Sequence, residues 1–147
     1  MPIAVIASTG ALTPTGEREI VPRLSDALIE VSGLTGNTFF TPMVAGVLHL
    51  LDPEHVYAGG TNRSLVLIEL KLPDIGLASV EARAAFIERA TDIAYKLMTP
   101  GHERDDIRIN IVNAPDGGWG MGGHAYTGER LVEAITRAAA ATSRTGA

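Results

Sequence analysis

The chain contains no cysteine at all. This absence excludes a disulfide framework, a thiolate nucleophile and a metal site built on cysteine. Aromatic residues make up only 5% of the 147 residues, and tryptophan occurs once. Long apolar runs are also missing: no stretch is long enough to span a membrane, and the apolar start lacks the basic region of a secretory signal. These absences are compatible with a cytoplasmic protein, which is the location we expect.

Basic residues are too few and too scattered for a nucleic-acid surface. The chain has 12 lysines and arginines against 17 aspartates and glutamates, and its formal net charge is -5. The remaining composition, with 46% hydrophobic and 20% charged residues, is that of an ordinary globular protein. We therefore expect a single domain over residues 1–147, with no nucleic-acid or membrane partner.

A proline, Pro2, follows the first methionine and opens the apolar run Ile3 to Ala7. Methionine before a small residue such as proline is normally trimmed, which leaves a free secondary amine on a rigid ring. Such an amine starts from a pKa of about 7.7–8. Desolvation or a nearby cation lowers this pKa further and creates a general base at neutral pH. Pro2 is therefore a candidate catalytic base, although an incidental second residue gives the same pattern.

The two halves of the chain, residues 2–60 and 65–123, repeat one pattern at a constant offset. Each half contains an apolar strand, an amphipathic helix, a second strand, a turn with proline and aspartate, and a glycine-rich segment. Both glycine-rich segments end in a Gly-Gly pair, at Gly59-Gly60 and at Gly122-Gly123. Identical residues are few, so the repeat is one of pattern rather than of sequence.

Hydrophobic spacing predicts the elements of both halves. Four strands are expected, over residues 3–7, 44–51, 65–72 and 107–112. Thr13 and Ser79 are the expected N-caps of the two helices, and Pro22 predicts a kink inside the first. A third helix is expected over residues 129–141, with a loose end over 142–147.

Two strand–helix–strand units of this length predict two parallel crossovers in one sheet. The expected fold class is therefore α/β (α+β): β-α-β-β-α-β, a four-stranded mixed sheet with both helices on one face. The other face of the sheet is left open, which is typical of a protein that oligomerises.

Polar residues that could carry chemistry cluster late in the chain. In the strand 107–112, isoleucines alternate with Arg108 and Asn110, which predicts that these two side chains face away from the helices. The segment 113–123 is glycine-dense and carries Trp119, so we expect a tight loop or hairpin. A surface arginine and a core tryptophan explain these residues as well as a binding site does.

The remaining candidates are cations and histidines. Lys71, at the end of the third strand, and Arg63, between the halves, are cations that could reach an anionic ligand. The four histidines have no metal-ligand spacing. We expect His49 to be a satisfied structural residue, and His55 and His102 to be solvated. No cofactor and no metal is expected.

With its proline start, its duplication and its Gly-Gly closures, the chain resembles the tautomerase superfamily over about residues 2–130. Pro2-Ile3-Ala4 and Gly59-Gly60 are similar to the start and the hairpin of 4-oxalocrotonate tautomerase (4-OT). The duplicated length resembles that of macrophage migration inhibitory factor (MIF), malonate semialdehyde decarboxylase and cis-3-chloroacrylic acid dehalogenase. Segments 12–14 and 33–36 resemble the dehalogenase. Residues 105–107, Trp119 and residues 126–128 resemble the decarboxylase.

The resemblance implies roles for several residues. Pro2 would be the base, and Arg108 would bind a carboxylate or stabilise the developing enolate. Asn110 would donate a hydrogen bond near the proline, and Trp119 would lower the polarity of the pocket. The resemblance also implies a tautomerase/MIF-like fold and a homotrimer with its substrate pocket between subunits. Lys71 is included as a further substrate-binding candidate.

The chain also departs from the relatives. Ala45 stands in the first half where Arg108 stands in the second, and Leu72-Pro73-Asp74 replaces the arginine pair of the decarboxylase and the dehalogenase. The leading hypothesis is therefore a cofactor-independent tautomerase that acts on a small 2-oxo acid or its enol. The alternatives are a hydratase or dehalogenase of small unsaturated acids, and a non-catalytic trimeric binding module.

Overall fold

A computed structural model describes residues 1–146. Its elements, in chain order, are β1 (Pro2–Ser8), α1 (Pro14–Val31), α2 (Phe40–Met43), β2 (Ala45–Leu51), β3 (Tyr57–Ala58), β4 (Thr61–Asn62), β5 (Val66–Leu72), α3 (Val80–Leu97), β6 (Ile107–Asn113), β7 (Trp119–Met121), β8 (His124–Tyr126) and α4 (Gly128–Thr145). Over these residues, no helix combines the length and the apolar character needed to cross a membrane.

One mixed sheet contains four strands in the order β2-β1-β5-β6. The strands of each half are parallel, β1 with β2 and β5 with β6, and the two halves meet through the antiparallel pair β1 and β5. Alternate residues such as Ile3, Val5 and Ile68 are buried beneath α1 and α3, and their neighbours on each strand point to the open face. The predicted architecture is confirmed.

Both predicted N-caps are present. The Thr13 hydroxyl accepts a hydrogen bond from the Gly16 amide at 2.9 Å, and the Ser79 hydroxyl accepts one from the Ala82 amide at 3.0 Å. At Gly16 the helix α1 approaches α3 so closely that a Cβ at this position would strike the Leu97 carbonyl of α3. The helix α1 continues through Pro22 as one element.

The Gly-Gly pairs close two short hairpins at corresponding places in the two halves. Gly59 and Gly60 join β3 to β4 with φ values of 58° and 79°, and Gly122 and Gly123 join β7 to β8 with φ values of 61° and 83°. Two successive positive φ values are what a two-residue hairpin turn of type I′ requires, and glycine adopts them without strain. The two halves thus share this short hairpin in addition to their strand–helix–strand order.

The helix α4 is longer than predicted. It extends to Thr145, so the expectation of a loose end is wrong for residues 142–145, while Ala147 lies outside the described residues. An alanine run over residues 138–141 favours the helix, and the hydroxyls of Thr142, Ser143 and Thr145 each donate to a carbonyl one turn earlier.

Two histidine predictions need correction. His49, expected to be a satisfied structural residue, is exposed on the edge strand β2. His102, expected to be solvated, is half-buried: its Nδ1 lies 2.7 Å from the Thr99 carbonyl and its Nε2 lies 3.1 Å from the Ser64 hydroxyl. The contact with Thr99 lies within the loop before β6, and the contact with Ser64 joins this loop to the segment that connects the two halves.

An ion pair strengthens the same junction. The Arg63 Nε lies 2.5 Å from Oδ1 of the buried Asp106, whose Oδ2 accepts a hydrogen bond from the Glu103 amide at 2.9 Å. Burial opposes ionisation of Asp106, but the Glu103 amide, the Arg63 guanidinium and the charge of His102 outweigh it, and the pKa of Asp106 is lowered. Arg63 is therefore engaged in structure rather than free for a ligand.

We predict that Asp106→Asn lowers the free energy of unfolding at pH 7 by about 1–3 kcal/mol, because it removes a charged, hydrogen-bonded acceptor. Since the carboxylate's pKa is lower in the folded than in the unfolded state, its stabilisation is present at neutral pH. It is lost as the pH falls through the folded-state pKa. Urea unfolding from pH 7 down to pH 3 measures this. Asp105→Asn, a change at the exposed neighbouring residue, is the control. A loss of free energy of unfolding in Asp106→Asn that is the same at every pH would contradict the prediction.

Candidate active site at the amino terminus

The first residue of the chain is anchored inside the protein. Met1 is only 3% exposed. Its amine donates a hydrogen bond to the Met43 carbonyl at 2.7 Å, and its own carbonyl accepts one from the Ala45 amide at 3.1 Å. The chain therefore starts at a fixed position beside the junction of α2 and β2.

The Met1 side chain lines an apolar cavity of about 300 Å³. The end of α1, the loop from β5 to α3, and α4 form the cavity walls. Ser32 is the only polar side chain among the lining residues, which are Met1, Leu28, Val31, Ser32, Leu34, Phe40, Leu72, Pro73, Ile75, Gly76, Leu77, Ala82, Leu131 and Ile135. A cavity of this size is at the small end of the range for ligand sites, and its lining offers no charge.

This environment changes the acidity of the terminal amine. Burial disfavours the charged form and lowers the pKa of the Met1 amine from 8.0 to about 6. An amine at this position is therefore mostly neutral at pH 7, as a general base must be.

Pro2 lies at the start of β1, directly after Met1, and is not itself one of the residues that line the cavity. Its ring is exposed on the open face of the sheet, and with Met1 attached its nitrogen is an amide without basicity. Because Ile3 pairs with Leu70 across the antiparallel ladder, continuation of the register sets Lys71 opposite Pro2, about 5 Å away between Cα atoms. The Lys71 ammonium is exposed and 3.9 Å from the Glu69 carboxylate. The structure thus brings one predicted cation to the proline.

Arg108 and Asn110 lie on the same open face but farther away. The register sets Arg108 in the cross-strand row of Ile6 and Asn110 in the row of Ala4, in both cases on β6, two strands from β1. Strand geometry then separates the Cα atoms of Arg108 and Pro2 by roughly 16 Å, and those of Asn110 and Pro2 by roughly 12 Å. Within one chain, these two residues are not gathered at the proline.

The register also corrects the correspondence between the halves. Pro2 pairs with Ala45, whereas Arg108 pairs with Leu67, so the crossover from β5 to β6 is two residues shorter than that from β1 to β2. When Leu65 is superposed on Pro2, as in the repeat, Leu67 falls on Ala4. Arg108 pairs with Leu67 and Val47 pairs with Ala4, so the counterpart of Arg108 is Val47 rather than Ala45. The predicted match with Ala45 is wrong for this reason.

Trp119 belongs to an aromatic cluster rather than to the cavity lining. Its ring centroid lies 5.6 Å from that of Tyr126, which lies 5.9 Å from that of Phe39. The next residue, Phe40, lines the cavity. Trp119 therefore supports the wall of the cavity through the segment that leads into α2.

The sequence prediction missed the cavity walls formed by Phe40, Leu131 and Ile135. A signal was present in α4, where the apolar residues Leu131 and Ile135 follow at helical spacing after a threonine cap. Among residues 1–146, no group of three or more possible metal ligands comes together.

Comparisons with known proteins identify the fold. No protein-family model matches the chain, and no curated protein sequence matches it. Among solved structures, Pt0534 inactivated by 2-oxo-3-pentynoate has 20% identity, with 89% of this chain and 98% of that chain covered and a TM-score of 0.71. A fused 4-OT symmetric trimer has 19% identity, the same coverages and a TM-score of 0.71. MIF from Toxoplasma gondii has 12% identity, coverages of 86% and 100%, and a TM-score of 0.66. The predicted resemblance is confirmed at the level of fold: the chain has the fold of the tautomerase superfamily.

Proposed function

We propose that this protein is a cofactor-independent tautomerase that interconverts the keto and enol forms of a small 2-oxo acid, with Pro2 as its base. One observation carries the proposal. Met1, the residue directly before Pro2, lines an apolar cavity, and burial lowers the pKa of its amine to about 6. Removal of Met1 empties this place and leaves the terminal nitrogen on Pro2, at the start of β1.

In this mechanism the neutral Pro2 nitrogen takes a proton from the carbon next to the substrate's carbonyl group. The carbonyl oxygen gains negative charge as the enolate forms, and the proton is then returned to that oxygen. Removal of Met1 also frees the Ala45 amide that donates to the Met1 carbonyl. This amide is then available to a substrate oxygen that takes the same place.

Lys71 is the cation that serves Pro2 within one chain. Its ammonium would hold the substrate carboxylate through charge-assisted hydrogen bonds, and its positive charge favours the neutral form of Pro2. Arg108 and Asn110 lie too far from Pro2 in the same chain, so we propose that they serve the Pro2 of a neighbouring subunit. Trp119 would act indirectly, by supporting the wall that excludes water.

A homotrimer fits this arrangement. The open face of the sheet carries large exposed apolar side chains, among them Val47, Leu51 and Val112. Patches of this kind mark interaction surfaces. The fused 4-OT of the same fold is a symmetric trimer.

A non-catalytic binding module is the second candidate, and a specific observation favours it. Where Met1 is retained, its side chain lies in the cavity and the Pro2 nitrogen is an amide. Such a chain has no Pro2 base. The third alternative, hydration or dehalogenation of unsaturated acids, needs a water-activating group besides Pro2.

The proposal predicts that Pro2→Ala slows keto–enol conversion of phenylpyruvate by about 10²–10⁴-fold, the usual contribution of a general base. The rigid secondary amine is lost in this variant, whereas the fold is kept. Absorbance of the enol measures the rate, and intact mass of the protein from its own host shows whether Met1 is absent.

Pro53→Ala is the matched control, because Pro53 is exposed beyond the far end of β2 and its loss should leave the rate unchanged. Retention of Met1 in the host, or equal rates for wild type and Pro2→Ala, rejects the Pro2 mechanism. If neither the wild type nor Pro2→Ala has activity on any of a panel of 2-oxo acids, the result favours the non-catalytic binding module.

A second prediction concerns the amine in a chain that keeps Met1, made with methionine removal inhibited. Its α-amine should react with an amine-directed reagent with a midpoint near pH 6, whereas the urea-unfolded chain should show a midpoint near pH 8. Because the folded state binds fewer protons between these values, the free energy of unfolding should rise as the pH increases from 6 to 8. Peptide mass spectrometry locates the label, and a folded midpoint near 8 would contradict an apolar amine site.

The third prediction tests whether Arg108 acts across subunits. Pro2→Ala and Arg108→Ala proteins, each weakly active, should recover about a quarter of the wild-type sites when refolded together as random mixed trimers. Pro2→Ala mixed with Lys71→Ala is the control and should recover none, since both residues serve the same site from one chain. If neither mixture recovers activity although mass measurements verify that mixed trimers have formed, Arg108 does not act on the Pro2 of a neighbouring subunit.

A further inference from the structure

The C-terminal helix α4 forms one wall of the cavity that holds Met1. Leu131 and Ile135 are one helical turn apart, so they share one side of the helix, and both line the cavity. Leu131 is 2% exposed, whereas the adjacent Val132 is 53% exposed. The helix therefore presents an apolar stripe to the amino terminus and its other sides to solvent.

Hydrogen bonds hold this wall in place. The buried Asn37 donates from its side-chain amide to the Ile135 carbonyl at 3.0 Å, and its side-chain oxygen accepts from the Phe40 amide at 2.9 Å. At the start of α4, the Asp116 carboxylate accepts from the Gly128 amide at 2.7 Å. Asn37 thus ties two walls of the cavity to each other, and a wall fixed in this way limits the size of what the cavity admits.

The chemistry of the lining decides which part of a substrate enters. No charged side chain lines the cavity, and the removal of an unpaired carboxylate from water is costly. Lys71, the cation beside Pro2, lies outside the cavity on the face of the sheet. A 2-oxo acid at Pro2 would therefore keep its carboxylate outside and direct its carbon chain inward, where the apolar, unbranched side chain of Met1 lies.

We infer that Leu131 and Ile135 are specificity-determining residues, which set the size of the apolar substituent on the reacting carbon of a 2-oxo monocarboxylic acid. The inference rests on the proposed function and names the substrate class of that site. Dicarboxylic 2-oxo acids are disfavoured, because their second carboxylate would enter the uncharged cavity. The size limit comes from a helix at the end of the chain, outside both halves of the repeat.

The test uses the protein without Met1 and measures exchange of the C3 protons for deuterium, by NMR, in 2-oxobutanoate, 2-oxohexanoate and 2-oxooctanoate. Leu131→Ala should raise the ratio of kcat/KM for the eight-carbon acid to that for the four-carbon acid, on the order of tenfold. Leu131→Phe should lower this ratio by a similar factor. Val132→Ala, on the exposed side of the same helix, should leave it unchanged.

A binding measurement separates this inference from the proposed function. Calorimetry of the Pro2→Ala protein with hexanoate and octanoate reports on the cavity without any reaction. If Leu131→Ala binds octanoate more tightly but no protein exchanges deuterium, Leu131 limits the size of the cavity and the proposed tautomerase activity is rejected. If Leu131→Ala does not unfold cooperatively and is therefore not properly folded, Ile135→Ala is used in its place. Folded variants of both positions with unchanged rate ratios and unchanged affinities overturn the inference.

Discussion

The position of β1 in the middle of the sheet is the constraint on which the rest of the molecule depends. This strand starts at the second residue and pairs on both sides, in parallel with β2 and antiparallel with β5. Because this central strand begins at Pro2, the residue before it, Met1, extends into the interior rather than into solvent. The amine of Met1 therefore reaches the Met43 carbonyl, and desolvation of the amine follows from the topology.

The same strand pairing determines which polar residues of the candidate site lie near Pro2. Antiparallel pairing brings the end of β5, and with it Lys71, to the start of β1. Parallel pairing of β5 with β6 leaves Arg108 toward the opposite end of the open face. In the proposed mechanism, one cation per site would thus come from the chain that supplies the proline. Any contribution from Arg108 would require a second copy of the chain, so oligomerisation would then have a chemical role as well as a structural one.

Local signals in the sequence were sufficient for the strands of the main sheet and for the three long helices, except the end of α4. The caps at Thr13 and Ser79, the alternation along the strands and the Gly-Gly turns each act within a few residues, so they are readable without a structure. The cavity was not readable in this way, because its walls come from α1, α2, α4 and the loop before α3. The two-residue difference between the crossovers also escaped, since it appears only in the pairing register.

The duplicated scaffold has two comparable strand starts, and only one of them can carry an amine. In the second half the place of Pro2 is taken by Leu65, which is 2% exposed and whose amide donates to the Ser8 hydroxyl at 3.2 Å. The ion pair of Arg63 with Asp106 and the bond of His102 to Ser64 close the chain around that position. The two ends of the sheet therefore differ: polar bonds fix the end at Leu65, and an apolar cavity lined by Met1 lies at the other end. A chain with two similar halves can therefore vary one half for stability while the other half serves the proposed chemistry.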